Sequence, residues 1–131
     1  MSKYGSPEKY SRLLRSDWLK ENNTRIHYNA FEPRKNKDDN RLEVSCFETQ
    51  GISSNEVKDL ALKNEITLNG KLPVGFCSIE ENDFPFDLIN IDKNYNPERH
   101  IDLVGWTDNK LNQKEVATLL AEKASNMIEI F

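Results

Sequence analysis

No apolar run in this 131-residue chain approaches the roughly 20 residues that span a bilayer. The start, MSKYGSPEKYSRLL, lacks the apolar core of a signal peptide. No membrane partner is therefore expected, and a cytoplasmic location is. Glycine is scarce: the five residues at 5, 51, 70, 75 and 105 never cluster, which excludes a Gly-rich phosphate loop. Cysteine occurs twice, at Cys46 and Cys77, each in an apolar segment where a small buried thiol is the expected state. With His27 and His100 these make four soft donors, but no two stand at the short intervals of a zinc finger or ribbon. No metal and no cofactor is expected.

The chain is 37% hydrophobic and 31% charged, polar for a folded domain, yet Phe, Tyr, Trp, Ile, Leu and Val recur throughout and argue for a packed core. One domain over residues 1–131 is the expected size. The net charge of -4 conceals a division. Residues 1–37 carry nine Lys/Arg against four Asp/Glu, and the remainder nine against eighteen. The basic segment, with Arg12 and Arg15 around Tyr10 and Trp18, has the composition of a nucleic-acid patch, but a dedicated binder is usually basic as a whole. Nucleic acid is kept as an alternative partner. The favoured expectation is that this segment lies on the acidic remainder or meets a protein partner.

Local signals outline an α+β domain. In GISSNEVKDLALKN, Ser53 and Glu56 make a capping box, and Ile52 with Val57 a hydrophobic staple, so a short helix starts at about Ser53. In LNQKEVATLLAEKASNMIEIF the same grammar puts Asn112 at the cap, Glu115 at the third helical position and Leu111 against Val116, predicting the principal helix over 112–127. Alternation in RIHYNAF and RLEVSCF predicts two strands joined by a polar loop near 32–41. PVGFCSI, FDLINI and HIDLVGW add short apolar runs. Together they predict a small, mostly antiparallel sheet of four or five strands, packed against a C-terminal helix and a shorter middle helix.

RLLRSDWL, NAFEP, RLEVSCFETQGIS and PERHIDLVGW, followed by a terminal helix, resemble a family of small stand-alone bacterial proteins across most of the chain. Its final motif, written here Pro-x-x-His-x-x-x-x-Gly-Trp, falls on Pro97, His100, Gly105 and Trp106. The resemblance implies an independent domain of bacterial origin and carries over no reaction and no catalytic residue.

His100 is the one catalytic candidate, since imidazole is an acid, base or ligand near neutral pH, with Arg99 beside it to hold an anion. Adjacent strand residues point to opposite faces, so the two need not share a site. The ordinary role for His100 is a bond to a carbonyl or to Asp102. The carboxylates of SIEENDFPFD read as a solvated turn, with Phe84 and Phe86 divided between core and surface. Candidate binding residues are Arg12, Arg15, Trp18, Arg99, His100 and Trp106. The expected function is a small accessory or protein-interaction domain in a multi-protein system. A nucleotide- or phosphate-handling enzyme using His100 with Arg15 or Arg99 is one alternative, and nucleic-acid binding through the basic segment is the other.

Overall fold

The computed structural model of the chain describes residues 2–131. In chain order its strands are β1 (Lys9–Leu14), β2 (Leu19–Lys20), β3 (Arg25–Ile26), β4 (Arg34–Lys35), β5 (Leu42–Glu48), β6 (Gly75–Glu80), β7 (Asn90–Asp92), β8 (His100–Val104) and β9 (Ile128–Ile130). Helix α1 (Ser54–Lys63) follows β5, and α2 (Lys110–Ala124) precedes β9. The main sheet runs β7-β8-β5-β1-β6-β9, with β4 on the remaining edge of β5, while β2 and β3 form a separate hairpin. Every pairing is antiparallel. The class is α+β as expected, but the sheet has seven strands rather than four or five. The extra strands β4, β7 and β9 are two or three residues long, too short to display alternation.

The central strand is the one the sequence signals left out. In KYSRLL five of six residues are buried, because a central strand is covered on both faces and has no polar side to alternate with. RIHYNAF is corrected: only Arg25–Ile26 is strand, and Tyr28–Phe31 coils into a 3-10 turn capped by His27 Nδ1, which accepts from Asn29 N. Its partner is β2, not β5. The polar loop contains β4, whose Arg34 and Lys35 pair with Glu43 and Leu42.

Helix α1 begins as its capping box dictates, with Ser53 Oγ accepting from Glu56 N at 3.2 Å and Glu56 Oε1 from Ser53 N at 3.2 Å. Its inward residues are Val57 and Ala61. The start of α2 is corrected from Asn112 to Lys110. Asn109 is the cap, and its Oδ1 accepts from Asn112 N at 2.9 Å. Leu111, read as a staple, is 67% exposed. The helix ends at Ala124, so Ile128 belongs to β9 rather than to the helical stripe. Val116, Ala117, Leu120, Ala121 and Ala124 form the buried face of α2, which packs on the 3-10 turn, β3 and β6. Ser125 Oγ, just past the helix, accepts from Ile26 N at 3.0 Å and ties that end to β3.

Phe76, Leu14, Ile89, Ile101, Leu103 and Leu120 are among the largest fully buried side chains. Each contributes about 1.5–3 kcal/mol by leaving water. Among the described residues no helix is long and apolar enough to cross a membrane.

β9 approaches β6 at a glycine. A Cβ on Gly75 would stand 2.3 Å from the Glu129 carbonyl oxygen and 3.0 Å from Ile130 Cα, so β9 must shift to admit it. Gly75→Ala is expected to destabilise the fold by about 1–3 kcal/mol and to speed hydrogen exchange at Phe131, whose N–H donates to Val74 O at 2.9 Å. Wild-type exchange there, with unchanged denaturant midpoint, would contradict this account of Gly75.

Candidate functional site

β5 changes partner along one edge. Glu48 and Phe47 pair with Tyr10 and Ser11 of β1, whereas Glu43 and Leu42 pair with Arg34 and Lys35 of β4. Val44–Cys46 lies between the two pairings. Arg12 fills the break: its Nη1 donates to Ser45 O at 3.0 Å and its Nε to Ala30 O at 2.8 Å. Burial pulls the guanidinium's pKa below its ordinary value, and Arg34 acts in the same direction, but the group stays charged at neutral pH.

Trp18 packs with its ring centroid 5.0 Å from the Arg12 guanidinium and 5.3 Å from that of Arg15. Arg15 is held by Asp17 through two hydrogen bonds of 2.9 and 2.6 Å. The fold thus unites Arg12, Arg15 and Trp18, as their shared segment suggests, but not as an outward basic patch. Arg12 and Trp18 are 9% and 5% exposed. These residues border a cavity of about 230 Å³ between the sheet break and the 66–69 loop.

Ser45 connects this region to His100. Phe47 stands opposite His100 and Ser45 opposite Asp102, so the two strands share a polar strip. Ser45 Oγ lies 2.7 Å from His100 Nε2, and His100 Nδ1 lies 2.7 Å from Asn94 Oδ1. The Asn94 amide is oriented by Asp102, whose Oδ2 accepts from Asn94 Nδ2 at 2.7 Å. Its oxygen therefore faces the imidazole and accepts the proton of Nδ1. That leaves Nε2 as the acceptor of the Ser45 hydroxyl. Burial lowers the His100 pKa below 6.5, against the upward pull of Asp102, Glu43 and Asp92. Burial likewise raises that of Asp102, against His100, the Asn94 bond and Arg41. Arg41 closes the strip by bonding Glu43 and Asp92 at 2.8 Å each.

Chemically this is a hydroxyl hydrogen-bonded to a neutral imidazole, the arrangement that lets a base accept a proton. Ser45 and Asp102 stand opposite each other in the β5–β8 ladder, and the Ser45 carbonyl faces the other edge of β5, where Arg12 meets it.

Arg99 stands just before β8 and engages partners other than those of His100. With φ at 67°, its Nη1 donates to the carbonyls of Glu48 and Gln50, each at 3.2 Å, and its guanidinium covers the Tyr4 ring at 4.4 Å. Trp106 is engaged separately, its Nε1 donating to Leu103 O at 2.9 Å just beyond the turn at Gly105. Among the described residues no hydrogen bond joins Arg15, His100 and Trp106. The residues missed from sequence are Ser45, Asn94, Arg34 and Lys35. Only Ser45, on the polar side of an alternating strand, carried a local signal.

Two other features settle earlier expectations. Cys46 and Cys77 are free and buried, and burial pushes the Cys46 thiol up to about 12, leaving it protonated. Phe84 joins the core against Tyr10 at 5.2 Å, while Phe86 and Leu88 are each 48% exposed.

The unfolded chain restores His100 to its ordinary value of 6.5, so below that pH the unfolded state binds more protons than the folded one. This contribution to stability is complete above the unfolded value and falls as pH drops. Asp102 acts oppositely: between 3.8 and its raised folded value the folded state binds more protons, and stability falls as pH rises. From about pH 7 to about pH 5.5 the loss of urea stability is expected to be smaller in His100→Gln than in wild type. Equal losses would remove His100 from the acid response.

The chain matches no protein-family model, no curated protein and no solved structure. No comparison supports the bacterial family suggested by the motif residues, and the reading of the site rests on geometry.

Proposed function

We propose that the chain is an accessory, protein-interaction domain whose partner docks at the β9 edge of the sheet. The observation that supports this reading is an apolar groove of about 430 Å³ that begins at Phe131, directly after β9, and runs between Leu62 of α1 and Leu72. Leu62 and Leu72 are 62% and 70% exposed, more than Phe86 or Leu88 at the other corner, so this is where apolar surface gains most from being covered. β9 pairs on one side only, with β6. An extended segment of a partner matches both features: its main chain adds to the free edge, and a bulky apolar side chain fills the groove. Lys58 and Glu65 give the groove a polar rim.

A second reading, a small phosphate-handling enzyme, is supported by the Ser45–His100–Asn94 relay. Arg15 and Arg99 contribute little to it, being engaged by Asp17 and by main-chain carbonyls. Hydrolysis of a phosphate ester that survives in His100→Ala would eliminate this reading. The nucleic-acid reading is weakened by the burial of Arg12 and the pairing of Arg15.

The doubly substituted Leu62→Glu, Leu72→Glu protein is expected to keep wild-type circular dichroism and melting behaviour, since both side chains face solvent. It should lose the partner that immobilised wild-type protein captures from its native lysate. Retention of the same partner would move the docking surface elsewhere. Elution of the wild type with nothing bound would count against an interaction role altogether.

A further inference from the structure

Arg12 is a buried cation without a counter-ion: among the described residues it forms no ion pair. Isolating a charge in the interior is costly unless it is paired or fully hydrogen-bonded. A guanidinium has five N–H donors, and only Nε and Nη1 of Arg12 bond to protein, through Ala30 O and Ser45 O. Nη2 makes no hydrogen bond among the described residues, and neither does Nε1 of Trp18. Among the described residues no side-chain nitrogen or oxygen shut off from solvent lacks a partner. Both donors therefore keep some contact with solvent, and the two residues line the cavity of about 230 Å³.

The charges around that cavity favour an anion. Arg12, Arg34 and Lys35 line it together with Glu32 and Glu43. Arg41 already holds Glu43, at 2.8 and 3.2 Å. Arg34 and Lys35 are exposed and, among the described residues, form no ion pair, so cationic charge is in excess. Size narrows the ligand further: the cavity is below the roughly 300–1,000 Å³ of sites for drug-sized molecules, which excludes a nucleotide as the enclosed group.

We propose that this cavity is a binding site for a small oxyanion, a carboxylate or phosphate group, received by Arg12 Nη2 and Trp18 Nε1 and drawn in by Arg34 and Lys35. Arg12 is preorganised for the task, since two carbonyls and the Trp18 ring fix the plane of its fork. This site adjoins the β9 groove, with which it shares Ile66 and Thr67, but its cationic groups line this cavity alone.

The test uses the intact, isotopically labelled protein, because replacing Arg12 would also remove bonds that hold the sheet. Sodium acetate and sodium phosphate are titrated separately at fixed pH, with sodium chloride holding ionic strength constant, while the Arg12 Nε–H and Trp18 Nε1–H resonances are followed. Saturable shifts of both are expected with at least one anion, and the one that saturates at lower concentration identifies the carboxylate or phosphate preference. Arg34→Ala, an exposed change, should weaken the apparent affinity by about threefold, the scale of one solvent-screened charge. Shifts no larger than those with chloride alone would overturn the proposal, and so would saturation at the same concentrations in wild type and Arg34→Ala.

Discussion

The bridge from Arg12 to the Ser45 and Ala30 carbonyls is the contact on which the arrangement of the chain depends. On one edge β5 pairs with β1 at one end and with β4 at the other. The break would leave main-chain carbonyls in the interior without donors, at a cost comparable to that of a lost hydrogen bond. The Arg12 guanidinium answers one of them, Ser45 O, and binds Ala30 O of the neighbouring turn as well; a Lys ammonium has no planar fork with which to do the same. The turn that carries Ala30 is also the surface on which α2 packs, so the bridge sets the helix as well as the sheet.

What the sequence disclosed follows the range of the forces involved. α1 was legible to the residue because Ile52, Ser53, Glu56 and Val57 act within a single turn. α2 was displaced because Asn109 and Asn112 can each cap, and the choice went against the apparent staple at Leu111, which is exposed. RIHYNAF misled through its alternation: Ala30 and its neighbour Phe31 are both buried, which a 3-10 turn allows and a strand with one buried face does not. β1 gave no signal because both of its faces are covered.

The candidate site was legible as residue types and illegible as a site. Arg12 and Trp18 drew notice as members of a basic, aromatic segment, yet what distinguishes them is burial, which depends on where β4 and the 66–69 loop close over them. Ser45 and Asn94 are ordinary in sequence. They acquire a role only through the register that sets Ser45 opposite Asp102 and brings Asn94 back over the start of β8. Registers of this kind join residues more than fifty positions apart, and no local pattern encodes them.

The stretch PERHIDLVGW acts first as a clamp on β5. Arg99 bonds two carbonyls near the end of that strand, and its own carbonyl accepts from Glu48 N at 2.8 Å, while His100 reaches the hydroxyl of Ser45 from the opposite face. Ser45 is consequently held twice, at its carbonyl by Arg12 across one edge of β5 and at its hydroxyl by His100 across the other. Protonation of His100 would reverse the direction of its bond to the serine, with Nε2–H donating to the Ser45 oxygen, and would leave the Arg12 bond intact. The serine is thus the point where the cation of the sheet break and the titrating imidazole meet.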